Sequence, residues 1–427
     1  MIRPCAAGLA AALVLALAPP ATAVTPPSVD ASVAPPPGST GATVPMAQRG
    51  ECAGSGLLPG TDVAAPPVGQ SMLNVVGAWG FSRGEGQTVA VIDTGVHPGP
   101  RLPDVIAGGD YVADTDGLSD CDGHGTMVAG IIAGQPGPDG FAGVAPAARI
   151  LSIRQTSARF TPRSPGEDPA LTRATADIGA LARAVVRAAD LGARVINISS
   201  VTCLPANNTV DQNALGAALR YAAVDKDAVI VAAAGNAGPL GVAGGAACQS
   251  NSAGSASGVV PRERGQATFD SGDWAGVTAV SVPAWWQPYV LSVGSVGADG
   301  QPSVFTMSGP WLGIAGPGEN VLSLSNIDGG LANGLPNERG QLGPVSGTSF
   351  AAAYVSGVAA LVRSRFPQLN ATQVVERLTQ TAHNGAKAPS NVVGAGTVDP
   401  VAALTWQLPG PTPDPQAAQI AAPAPPV

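Results

Sequence analysis

The strongest constraint on the fold is a set of short, fully apolar or nearly apolar runs, at residues 88–92, 150–154, 194–199, 228–233 and 290–293. A strand with one wet face alternates polar and apolar residues. Thr88-Val89-Ala90-Val91-Ile92 and Val229-Ile230-Val231-Ala232-Ala233 do not alternate. They are also too short for helices and rich in β-branched residues, so they read as strands buried on both faces. Small-residue helical segments separate them, at 124–133, 175–191, 211–224, 349–365 and 371–381. Strands and helices in alternation predict an α/β fold with a doubly wound, mostly parallel sheet, covered on both sides. The expected domain spans 72–406. Three stretches inside it, 156–169, 249–272 and 326–343, have loop composition and exceed the usual connection of about 2–6 residues.

The two ends differ from this body. Residues 1–23 carry Arg3, an apolar core and Ala21-Thr22-Ala23, the pattern of a secretory signal peptide cut after Ala23. Residues 24–71 are rich in Pro, Gly, Ala and Ser with no apolar period, so they predict an extended N-terminal wrap without the strands or helices of a folded pro-domain. Residues 407–427 form a Pro- and Ala-rich linker. Charged residues are 12% of the 427, and the formal net charge is −8. That balance offers nucleic acid or anionic lipid no general attraction.

Chemistry concentrates at the ends of the apolar runs. Asp93 closes the first, in Ile92-Asp93-Thr94-Gly95, and the C-terminal ends of strands are where open α/β sheets form sites. Taken alone, Asp-Thr-Gly also closes ordinary turns. Of three histidines, His97 precedes a proline and His383 follows the last helix, so both are expected at the surface. His124 lies between Gly123 and Gly125 and opens a helix. Asn236 follows the run at 228–233, after Ala234-Gly235, and can donate its amide to an oxyanion. Ser349, in Ser346-Gly347-Thr348-Ser349-Phe350, stands at a helix N-terminus, where backbone N–H groups lack intrahelical partners. Each has a bland explanation; together they supply an orienting acid, a base, an oxyanion donor and a nucleophile.

In this order, Asp93, His124, Asn236 and Ser349 resemble the subtilisin-like serine proteases. Three further stretches resemble the mycosins, the subtilases of mycobacterial type VII secretion systems: Gly117-Leu118-Ser119-Asp120-Cys121-Asp122-Gly123-His124-Gly125, Trp285-Trp286-Gln287-Pro288-Tyr289-Val290-Leu291-Ser292-Val293 and Ala402-Ala403-Leu404-Thr405-Trp406. The resemblance implies a three-layer subtilisin-like fold and a serine endopeptidase without cofactor or metal. Its catalytic residues would be Asp93, His124 and Ser349, with Asn236 and the Ser349 N–H as the oxyanion hole. It implies a peptide or protein substrate, membrane components of a type VII secretion complex as partners, and a place on the periplasmic side of the inner membrane. Mycosins continue beyond such a linker into one transmembrane helix, whereas this sequence stops at Val427 within the linker. A rival function is structural: the fold of a protease whose long loops dock onto the secretion complex, with proteolysis secondary.

Outside the leader, Cys52, Cys121, Cys203 and Cys248 remain. An even count in an exported chain predicts two disulfides out of three possible pairings, and a four-cysteine metal site lacks any close pair. In subtilases the strands before Cys203 and Cys248 are neighbours. The resemblance therefore implies Cys203–Cys248, leaving Cys52–Cys121 to tie down the wrap. Secreted subtilisins place glycines after the strand corresponding to 195–199, where substrate pairs as an edge strand. Here Ser200-Val201-Thr202-Cys203 follow, so a narrower cleft and narrow specificity are expected.

Overall fold

Seven parallel strands carry the fold in the computed structural model, which describes residues 24–238, 248–251, 274–337, 339–383 and 390–408. In chain order they are β1 (Thr88–Asp93), β2 (Ile106–Asp110), β3 (Arg149–Arg154), β4 (Val195–Ile198), β5 (Val229–Ala233), β6 (Val290–Val296) and β7 (Leu312–Pro317). Across the sheet they run β7-β6-β5-β4-β1-β3-β2, each neighbouring pair parallel. The unbroken apolar runs follow from what covers them. Val89 and Val91 of β1 face one core, with helices α1 (His124–Ala133) and α4 (Thr348–Arg365). Ala90 and Ile92 face a second core, with α2 (Pro169–Asp190) and α3 (Asn213–Arg220). A strand sandwiched between two helical layers has no polar face to show.

The helices of the first core are buried almost all round: every residue of α1, and α4 from Thr348 to Arg363. Their small residues let the backbones come close. At Gly357 an added Cβ would stand 2.6 Å from Val144 Cβ, so glycine is required there.

The described residues correct several expectations. The sheet has two strands that the apolar runs do not announce. β2 is Ile-Ala-Gly-Gly-Asp and β7 is Leu-Gly-Ile-Ala-Gly-Pro; glycine dilutes their β-branched signal, and each sits at an edge of the sheet. The stretch 156–169 is not all loop. Phe160–Pro162 pairs antiparallel with Met46–Gln48, and α2 begins at Pro169 because Asp168 accepts from Leu171 N and proline follows at the first helical position. Two short antiparallel pairs, Ser323–Leu324 with Leu331–Ala332 and Gly334–Pro336 with Leu342–Pro344, occupy much of 326–343. The helix expected at 211–224 is α only over Asn213–Arg220 and passes into a π turn, Tyr221–Asp225.

Residues 24–71, expected to lack regular structure, contain the strand Met46–Gln48 and the start of a helix, Val68–Met72. They lie against the body through Gly41 N to the Asp110 carbonyl at 2.7 Å, Thr43 Oγ1 to the Ala176 carbonyl at 3.1 Å and Ala53 N to the Cys121 carbonyl at 2.8 Å. Ser55 is held by Asn326 Oδ1 through both its N–H and its hydroxyl. Disulfides join Cys52 to Cys121 and Cys203 to Cys248. The expected signal peptide, the stretch 252–272 and residues 409–427 of the linker lie outside the described residues. No helix among the described residues is long and apolar enough to cross a membrane.

Candidate active site

The four residues singled out by their places in the sequence come together above the C-terminal edge of the sheet. Asp93 ends β1, and Asn236 follows β5 by three residues. His124 is the first residue of α1 and Ser349 the second of α4. Asp93 Oδ1 lies 2.7 Å from His124 Nδ1, and His124 Nε2 lies 3.0 Å from Ser349 Oγ. All three are buried, Asp93 completely. Phe350 packs against the imidazole with ring centroids 5.2 Å apart, which leaves the ring little freedom to turn.

Gly347, Thr348 and Asn236 shape the space beside the hydroxyl. Asn236 Oδ1 accepts from Thr348 N at 2.9 Å and from Thr348 Oγ1 at 3.0 Å. With its oxygen so occupied, the amide presents Nδ2 to the cleft. A Cβ at Gly347 would stand 3.1 Å from Ser349 Oγ and 3.5 Å from Asn236 Nδ2; any side chain there would fill the gap between the hydroxyl and the amide donor. The Ser349 N–H belongs to the first turn of α4, where no intrahelical acceptor exists.

His124 sits among carboxylates. Burial pushes its pKa down, but Asp93, through charge and its hydrogen bond, with Asp120 and Asp122 adding charge, more than offsets this and holds it above the ordinary value. Asp120 is buried, and burial pushes its carboxyl up to about 6 against the hydrogen bonds that favour its ionised form. Five donors converge on it: Thr94 Oγ1, the backbone N–H groups of Asp122 and Gly123, and both N–H and hydroxyl of Thr126. It thereby caps the first turn of α1. Thr94 Oγ1 also accepts from Gly125 N at 2.9 Å, so Asp120 and Thr94 together lock the start of α1 to the end of β1.

Sequence reasoning passed over Asp120, Thr94, Phe350 and Ser199. Ser199 Oγ donates to the Ser349 carbonyl at 3.0 Å, accepts from Asn197 Nδ2 at 2.8 Å, and Asn197 Oδ1 accepts from Ser356 Oγ at 2.9 Å. This buried chain ties β4 to α4. The signal for Asp120 was present: an aspartate a few residues ahead of a helix start. The Ser199 chain joins residues more than a hundred positions apart, and no local pattern reports it. His97 is exposed and His383 half-exposed beside Asp399, 3.4 Å away, as expected of surface histidines.

Around these residues lies a cleft of about 1480 Å³, lined by Ser200, Val201, Thr202 and Cys203 as anticipated. Side chains stand on its wall at 200–203, and the wrap (Glu51–Gly54) and residues of the 334–344 hairpin line it as well. Among the described residues no group of His, Cys, Asp and Glu could hold a metal ion.

Residues 84–396 match the model of the Subtilase family. Mycosin-3 of Mycobacterium tuberculosis is 63% identical over 96% of this chain and 87% of its own length. A structure described as MycP3 protease from the type VII (ESX-3) secretion system is 65% identical, with a TM-score of 0.83, over 90% of this chain and all of that one. A chain in the periplasmic assembly from the ESX-5 inner membrane complex is 46% identical, with a TM-score of 0.82, over 95% of this chain and all of that one. With its seven-stranded parallel sheet and helices on both faces, the chain belongs to the subtilase family of serine proteases and, within it, to the mycosins.

Proposed function

We propose that Ser349, His124 and Asp93 are the catalytic triad of this serine endopeptidase and that Asn236 Nδ2 and the Ser349 N–H are its oxyanion hole. The hydrogen-bonded line Asp93–His124–Ser349, 2.7 and 3.0 Å, carries the reading. Ser349 Oγ attacks the peptide carbonyl while His124 Nε2 takes its proton. The C–N bond then breaks as His124 returns the proton to the leaving amine, and water repeats the sequence on the acyl-enzyme. Asp93, accepting from Nδ1–H, keeps Nε2 free of its proton in the resting enzyme and stabilises the imidazolium that forms. Hydrolysis of peptide pools by the purified chain tests this. Ser349→Ala should lower the rate by about 10³-fold or more, and equal rates in the variant would refute it.

The natural setting is the type VII secretion machinery, on the periplasmic side of the inner membrane. Supporting it are the likeness to the MycP3 protease of the ESX-3 system and to a chain of the ESX-5 periplasmic assembly. The substrate is a protein, and narrow specificity comes from the side chains of Ser200, Val201, Thr202 and Cys203 on the wall of the cleft. The same likeness to a chain inside an assembly favours a second role, as a docked subunit. Secretion by cells carrying Ser349→Ala separates the two, since a docking role survives that change.

A further inference from the structure

Arg159 is a cation of the cleft that the other described residues leave unused. It lines the same cleft as His124 and Ser349 and is half-buried. Among the described residues its guanidinium has no carboxylate within ion-pair distance, no hydrogen bond and no ring beneath it, and its Nε is enclosed without a partner. Arg173, which lines the cleft too, is consumed internally. Its Nε lies 2.7 Å from Asp177 Oδ2, its Nη1 2.6 Å from the Phe160 carbonyl and its Nη2 2.7 Å from Thr156 Oγ1. Glu51, the acid of the rim, is exposed and not paired with Arg159.

The loop that bears Arg159 is built, not slack. Ser157 Oγ and Ala158 N donate to the Asp122 carboxylate at 2.5 and 2.9 Å, two residues before His124. Arg159 N donates to Ser157 Oγ at 3.1 Å, and the Arg159 carbonyl accepts from Arg49 N at 2.6 Å. The next residues, Phe160–Pro162, pair with Met46–Gln48, and Cys52–Cys121 closes the same corner. The backbone that bears the Arg159 side chain is thus tied to the helix that carries the base. A half-buried arginine without a counter-ion is a poor choice for stability alone, because burying an unpaired cation costs free energy. It is a good choice for binding a carboxylate, whose charge-assisted hydrogen bonds would satisfy it.

We propose that Arg159 forms a subsite for an acidic side chain, Asp or Glu, of the protein substrate, at a fixed distance from the scissile bond. The inference rests on Ser349 and His124 being the catalytic pair. The net charge of −8 gives no general attraction for acidic peptides, so the preference is local to this guanidinium, and salt should weaken it only in part.

The test uses the mature chain and pools of decapeptides in which one position is Asp, Lys or Ala and the others are random. Each pool is used to slow the labelling of the enzyme by a fluorophosphonate, with each variant's own labelling rate as reference. At one position the Asp pool should protect at about tenfold lower concentration than the Lys pool. In Arg159→Glu that ratio should invert. In Arg159→Gln it should fall to about one, with thermal melting recorded to show that the fold persists. Pools that fail to discriminate in the wild type, by equal protection or by none, overturn the proposal, and so does a ratio unchanged in the folded Gln or Glu variant. A wild-type chain that takes no label sinks the serine-protease chemistry instead, which distinguishes the two failures.

Discussion

Asn236 uses the two ends of one amide for different purposes, and they can be separated by mutation. Its oxygen holds Thr348 and hence the start of α4, while its nitrogen is the proposed oxyanion donor. Asn236→Asp keeps an acceptor for Thr348 and loses the donor. Turnover of a peptide should fall by about 10²–10³ in this variant, with the melting temperature close to that of the wild type; turnover within a factor of two of wild type would remove Asn236 from the oxyanion hole. The carboxylates near His124 set a second expectation. A general base must be neutral, and its pKa is raised, so kcat/KM should rise with pH through a midpoint above the reference value of about 6.5. A midpoint below that value would contradict the electrostatics described. Asp93, His124, Asn236 and Ser349 were legible because each stands where a buried run or helix begins or ends, which is a local property. Asp120 and Ser199 act through partners brought in by folding, and only the first leaves a local trace.

At the scale of elements, fully buried strands could be read and edge strands could not. β1, β4 and β5 lie inside the sheet and are apolar at nearly every position. β2 and β7 lie at its edges and owe their pairing to the neighbour, so a glycine-rich segment suffices. The wrap is the other element whose role is open to test. It touches the rim of the cleft at Glu51–Gly54, yet its described residues contain no folded pro-domain to set across Ser349. Removing the residues before Cys52 should leave hydrolysis of a peptide without acidic residues within about twofold of wild type, since none of Asp93, His124, Asn236 and Ser349 is bonded to them. A large gain on removal, in a chain that still melts cooperatively, would show the wrap to be an inhibitor. Opening Cys52–Cys121 by a double Ser substitution acts differently. Their separation of 69 residues predicts a loss on the order of 4 kcal/mol in the chain-entropy account, read as a lower denaturation midpoint.

For the whole molecule, one sheet edge gathers the proposed chemistry and the loops around it line the cleft. β1, β4 and β5 bring Asp93, Ser199 and Asn236 to that edge, and α1 and α4 lower His124 and Ser349 onto them from the same face of the sheet. The wrap, the loop after β3 and the hairpin before α4 then wall the cleft. Everything proposed for the cleft, Arg159 included, depends on Ser349 being the nucleophile. The most direct measurement is fluorophosphonate labelling of the purified chain, followed by peptide mapping. One label per chain on Ser349 is predicted, lost in Ser349→Ala and strongly slowed in His124→Ala. Label on any other residue, or a folded wild-type chain that takes none, would contradict the account.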